Sequence, residues 1–254
     1  MPNYSISKKA KIGNNVSVKD FTIIEDDVVI GNNVEIGSNV YIANGARIAD
    51  NVKIHHGAVV STVPQDLKFS GEDTVFEIGE GTVIREYATL NRGTKESGKS
   101  SLGKNCFIMA YTHIAHDCHI GNNVIIANSV QMGGHVEIGD WAIIGGIVPI
   151  HQFTKIGIHV MIGGGFRTVK DVPPYALAGN SPLKFEGINT VGLRRRGFTN
   201  KQISDIKTAY DIIYYSGYNV SDAVKKINES GSISDEVKII LKFIAESKRG
   251  LVKG

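Results

Sequence analysis

The chain has 254 residues, 42% of them hydrophobic and 21% charged, with a net charge of +3. That supplies a sizeable core but too little excess charge for nucleic-acid binding driven by bulk electrostatics. Two cysteines exclude a disulfide framework, no apolar run reaches the roughly 18 residues of a membrane span, and "MPNYSISKKAKIGNN" has no apolar signal core, so a cytoplasmic protein without integral membrane contact is expected.

From Ile6 the chain reads in sixes: "ISKKAK", "IGNNVS", "VKDFTI", "IEDDVV", "IGNNVE" and onward to "IHHGAV". The frame returns at residues 78–90 and runs again from "LGKNCF" at 102 to "IGGGFR" at 162. Each unit opens on an aliphatic residue, and the fifth is usually Val, Ala or Thr. Positions one and five point to the same side of a strand, because side chains alternate. The residues between, such as "GNN" and "GSN", suit a corner, since Gly and Asn tolerate left-handed backbone. Three such strands make one triangular coil, and stacked coils bury one continuous core, which is a parallel β-helix. The pattern resembles the hexapeptide-repeat acyltransferase family. That resemblance, and not the spacing, implies a left-handed winding and a homotrimer packed through flat faces.

Two segments leave the frame, near 64–76 ("PQDLKFSGEDTVF") and 92–100. The second contains "GTKESGKS", which matches the phosphate-binding loop pattern G-x-x-x-x-G-K-[ST] letter for letter. That motif needs a strand before it and a helix after it. Here "SLGKNCF" follows and the hexads resume, so both segments read as loops ejected from the coil, placed to fold over a site.

Six of the eight histidines fall between residues 113 and 159. His116, His135 and His151 are spaced so as to lie near one edge of adjacent coils. Asp117 follows His116, and a histidine held by a carboxylate suits a general base near neutral pH. A zinc reading of His113, His116 and His119 fails on spacing, because every third residue does not keep one face of a strand-corner-strand path. Cys106 and Cys118 occupy the inward fifth position and read as core.

Pro173 and Pro174 end the hexads, so the β-helix is assigned to 1–174 and a helical domain to 175–254. "TNKQISDIKTAYDIIYYSG" reads as a helix with a Thr or Asn cap, an apolar stripe through Ile203, Ile206, Tyr210 and Ile213, and a closing Gly217. "SDAVKKINES" and "SDEVKIILKFIAESKRG" read as two more, each with a Ser cap.

"HIAHDCHIGNN", "MGGHVEIGDWAIIGG", "HQF", "HVMIGGG" and "DVPPYALAGN", with "PQDLKFSGE", "NRGT" and "GLRRRGF", together resemble the UDP-N-acetylglucosamine O-acyltransferase family of lipid A synthesis over nearly the whole chain. The resemblance implies transfer of a 3-hydroxyacyl chain from acyl carrier protein to the sugar 3-hydroxyl, with no cofactor and no metal. It implies His116 as general base, Asp117 as its orienting carboxylate and the Gly134 N–H as oxyanion donor. His113, His135, His151 and Gln152 would line the sugar and pyrophosphate site. Asp66 and Lys68 would contact the acceptor or acyl chain, and Asn189, Arg195 and Arg196 the nucleotide, an Arg fork being suited to pyrophosphate. The triple Arg also reads as a solvated basic patch or a dock for the acidic carrier protein.

Two departures matter. Val191 stands where many family members carry a nucleotide-holding glutamate, which leaves a 3-amino sugar acceptor open. Gly164 aligns with the residue that limits acyl length and leaves room for a chain of about fourteen carbons, although Phe166 stands nearby. The rivals are the N-acyltransferase of the same pathway, which carries an extra N-terminal domain where this chain begins its hexads at Ile6, a CoA-dependent acetyltransferase, which lacks the "GLRRRGF" tail, and a non-catalytic solenoid scaffold, which needs neither ejected loops nor a histidine cluster.

Overall fold

In the computed structural model, residues 3–229, 231 and 233–254 are described; Met1, Pro2, Ser230 and Ser232, which fall in the opening segment and in or beside the "SDAVKKINES" reading, lie outside them. Each hexad forms one short strand and one corner. The opening and fifth residues fill the interior: Val34, Ile36, Val40 and Ile42 are all buried, as are their successors coil after coil. The strands sort into three parallel faces. The first runs from Ser5–Ile6 to Pro149–Ile150, the second from Lys11–Ile12 to Lys155–Ile156, and the third from Ser17–Val18 to Met161–Ile162. Ser5 lies opposite Ile23, so an uninterrupted coil takes 18 residues. The result is a left-handed parallel β-helix.

The corners explain the small polar residues. Asn15, Asn33, Asn51, Asn105 and Asn123 all have φ near +55 to +60°. Asn15 Nδ2 donates to Asn33 Oδ1, and Asn33 to Asn51, so they also form a ladder. Less permissive residues adopt the same geometry, Ile147 among them at φ 59°. Its N–H donates to Asn128 O at 2.9 Å, and such coil-to-coil bonds hold the corner against the intrinsic cost. The glycine after the opening aliphatic has a steric reason: a Cβ on Gly103 would stand 2.5 Å from the Gly121 carbonyl of the next coil.

After the hexads, Ala176–Gly179 still stacks in parallel on Met161–Ile162, so the third face runs past residue 174 before Lys184–Ile188 turns back antiparallel. Four helices follow among the described residues: α1 (Thr190–Arg195), α2 (Asn200–Tyr215), α3 (Val220–Asn228) and α4 (Asp235–Glu246). The short α1 was not legible in the sequence. Thr199 and Gln202 form a reciprocal cap on α2, whose Ile203, Ile206, Tyr210 and Ile213 are buried. The α3 cap is Asn219 and not Ser221, because the Asn219 side chain accepts from Asp222 N–H and draws Val220 and Ser221 into the helix. Ser234 caps α4. Tyr210 donates its hydroxyl to Pro174 O, which ties α2 to the end of the β-helix. No helix among the described residues is long and apolar enough to cross a membrane.

Candidate active site

The corner that joins the first face to the second stacks three triplets 18 residues apart: Ala115-His116-Asp117, Gly133-Gly134-His135 and His151-Gln152-Phe153. Both ejected segments leave the coil at this corner. One runs from Thr62 to Val75 and the other from Asn91 to Lys99. Three corner triplets and two loops therefore meet along one edge.

His116 sits at the centre. Its Nδ1 is 2.8 Å from Asp117 Oδ2, and only 13% of its side chain is exposed. Gly134 lies directly against the ring, where a Cβ would come within 2.5 Å of His116 Cε1 and 2.7 Å of Nε2. Glycine is what lets the backbone and the ring approach this closely; any Cβ would have to displace the imidazole. Among the described residues the Gly134 N–H makes no hydrogen bond. His135 meets His116 edge to face at 5.1 Å and stacks on Phe153 at 4.4 Å.

Asp117 is buried and at φ 57°. Its Oδ1 accepts from Thr94 N–H at 2.9 Å and from the Ser97 hydroxyl, and its Oδ2 from the Thr94 hydroxyl at 2.8 Å and from His116. Burial alone would raise its pKa, but the bonds from Ser97, His116 and Thr94 outweigh burial and hold it at about 2. These four donors saturate a carboxylate, which has about four lone-pair sites. The donor atoms of His116, Asp117 and His135 lie within 4.8 Å of one another, yet Asp117 has no free lone pair to offer an ion.

The remaining histidines separate. His113 lies on the first face with Nδ1 2.8 Å from Thr89 Oγ1; burial, and then the neighbouring His116, lower its pKa. His119 lies on the second face against Ser101. Hence His113, His116 and His119 diverge, as their spacing requires. His151 and Gln152 share the His116 corner, with His151 Nδ1 3.0 Å from Gln152 O. Cys118 is buried, which pushes its thiol up to about 12, and its Sγ contacts Gly133 O. Neither it nor Cys106, also raised by burial, offers a thiolate.

Asp66 and Lys68 lie on the first loop, where Asp66 Oδ1 accepts from Lys68 N–H at 3.0 Å and the Lys68 side chain is exposed. Arg92 joins the two loops: it donates to Asn44 O at 2.8 Å and covers the Phe69 ring. The "GTKESGKS" segment ends in a strand and not a helix, with Ser100 buried inside the coil. Its geometry therefore gives no phosphate cradle.

Asn189, Arg195 and Arg196 are not brought to the His116 corner within one chain. They belong to the corner between the second and third faces, where Trp141, His159 and Tyr175 stack. Arg196 lies over the Trp141 ring at 5.3 Å and near His159 Nδ1. Burial, followed by the Arg196 charge, lowers His159 to about 4. Asn189 caps α1 through Oδ1 and donates from Nδ2 to His159 O at 3.0 Å. Arg195 is exposed. Gly164 lies at the third corner, between the third face and the first, and Val191 is exposed on α1. Sequence reasoning missed Thr94, Ser97, Phe153, Trp141 and His159; for the first two, the quoted loop motif pointed to the right segment for the wrong ligand.

Stacked hexads with a histidine-carboxylate pair and ejected loops along one corner define a transferase of the hexapeptide class, and the model of the bacterial transferase hexapeptide matches residues 9–44, 27–62 and 99–134. A second family model, UDP-N-acetylglucosamine O-acyltransferase domain 2, matches residues 171–252. The acyl-[acyl-carrier-protein]–UDP-N-acetylglucosamine O-acyltransferase of Thiobacillus denitrificans is 38% identical over 202 residues, covering 79% of this chain and 78% of that protein. A crystal structure of a UDP-N-acetylglucosamine acyltransferase from Bacteroides fragilis is 45% identical, with a TM-score of 0.96 over 100% of this chain and 99% of that one. The Campylobacter jejuni enzyme is 36% identical, with a TM-score of 0.93 over the same shares. The chain belongs to the UDP-N-acetylglucosamine O-acyltransferase family.

Proposed function

We propose that the chain transfers a 3-hydroxyacyl group from the thioester of acyl carrier protein to the 3-hydroxyl of UDP-N-acetylglucosamine, the first step of lipid A synthesis. The observation that carries this reading is the fixed His116 ring, with Nδ1 on a buried carboxylate and the face of Gly134 against it. Nε2 is left to take the proton of the sugar hydroxyl. The alkoxide attacks the thioester carbonyl, and the Gly134 N–H donates to the oxyanion that forms. Collapse expels the pantetheine thiolate, which recovers the proton from His116. His113, His135, His151 and Gln152 flank the acceptor, and Asp66 and Lys68 reach over it from the first loop. Gly164 leaves space for a long acyl chain.

The active form in this reading is a homotrimer. Support comes from the separation of the two corners: a nucleotide held by Arg195 and Arg196 of one copy meets His116 only if a neighbouring copy supplies it. The test is mass spectrometry of the purified protein with UDP-N-acetylglucosamine, or its 3-amino analogue, and a panel of 3-hydroxyacyl carrier proteins. Mono-acylated sugar nucleotide should appear with wild type and fall by about 10²–10⁴-fold in H116A. Absence of product with every donor and both acceptors would overturn the reading.

A further inference from the structure

The segment that imitates a phosphate loop grips a carboxylate instead. Thr94 donates both its N–H and its hydroxyl to Asp117, one to each oxygen, and Ser97 adds a third donor. The Ser97 Oγ also lies 2.8 Å from Lys99 O, but its single proton goes to the ionised acceptor, where the bond is stronger. Three of the four lone-pair sites are thus filled from one loop, which leaves one, on Oδ2, for a histidine.

Two histidines compete for that site. His116 Nδ1 is 2.8 Å from Oδ2, and His135 Nε2 is 3.7 Å from the same atom. His135 Nε2 also faces Glu96 at 3.5 Å, and His113 faces the group through its interaction with His116. A carboxylate freed from its loop donors would have lone pairs for both rings and room to turn toward His135. We propose that Thr94 and Ser97 are positioning residues for acyl transfer: they orient Asp117 toward His116 Nδ1 and so fix the tautomer that leaves Nε2 as the base. This rests on the functional reading above. Ser97 and Thr94, together with His116, also hold the Asp117 carboxyl below its ordinary pKa against the opposing effect of burial.

The test combines kinetics with ¹⁵N spectra of the imidazole rings, assigned by loss of the His116 signals in H116A. In wild type the neutral His116 ring should carry its proton on Nδ1. In T94V/S97A it should become a mixture of tautomers, and kcat should fall about 10- to 100-fold, while KM for the sugar nucleotide changes by less than about twofold. T94S should restore most of the rate. An unchanged His116 tautomer in T94V/S97A overturns the proposal, as does a lost rate that T94S does not rescue. If the wild type transferred no acyl group, the tautomer would still decide this proposal, while the functional reading would fail on the missing product. Should T94V/S97A not fold, S97A alone carries both measurements, because Ser97 lies in an exposed turn of the loop.

Discussion

At the scale of single residues the His116 corner is defined by how little space it leaves. Gly134 is the sharpest case. Its absent Cβ would stand 2.5 Å from the His116 ring, and that ring, unlike a backbone, can swing away. G134A should therefore fold with nearly wild-type stability, within about 1 kcal/mol, yet lose at least about 10²-fold in kcat because the base and the oxyanion donor no longer align. Thermal melting and steady-state kinetics on one preparation check both halves, and a variant with full activity would remove Gly134 from the mechanism. The pair of His116 and Asp117 was legible in the sequence, since adjacency places a carboxylate beside an imidazole without knowledge of the fold. Thr94 and Ser97 were not, because the contact from a loop to a corner 20 or more residues away follows no period.

At the scale of elements the hexads were legible for a local reason: the same two inward positions recur in every strand, so one rule covers the whole coil. The stacking of 116, 134 and 152 followed once 18 residues were taken as one coil. The docking of α1 did not, because its partners are corner aromatics that the hexad pattern leaves free to vary. Trp141, His159, Tyr175 and Phe198 pack there, with Arg196 across the Trp141 ring. This gives the tail a pH dependence. His159 is held neutral down to about 4, against an ordinary value of 6.5. The unfolded chain takes up this proton below 6.5 and the folded chain only near 4, so stability is complete above 6.5 and falls as the pH drops through that window, by up to about 3 kcal/mol. Below it an imidazolium would sit beside the Arg196 guanidinium. Trp141 is the only tryptophan in the chain, so its fluorescence should change with a midpoint near pH 4, and H159F should abolish that step. A step that persists in H159F would assign it to other groups.

At the scale of the whole molecule the three corners of one β-helix carry different chemistry, and none can be brought to another by bending a stacked coil. His116 lies between the first and second faces, and Arg196 between the second and third. If both serve one sugar nucleotide, a neighbouring copy must present its Arg196 corner to this one's His116 corner, and the assembly must be closed so that every copy does so. That arrangement makes a prediction no single-chain site shares. H116A and R195A/R196A should each be nearly inactive as pure assemblies. Co-expressed in equal amounts, they should regain about a quarter of the wild-type rate, since one site in four pairs an intact His116 with an intact neighbouring Arg pair under random mixing. Mixing the two variants after separate purification should give nothing until the assemblies exchange subunits. A co-expressed pair that stays inactive, while its mass shows mixed assemblies, would place the whole site within one chain and leave the Arg196 corner as a structural dock for the tail.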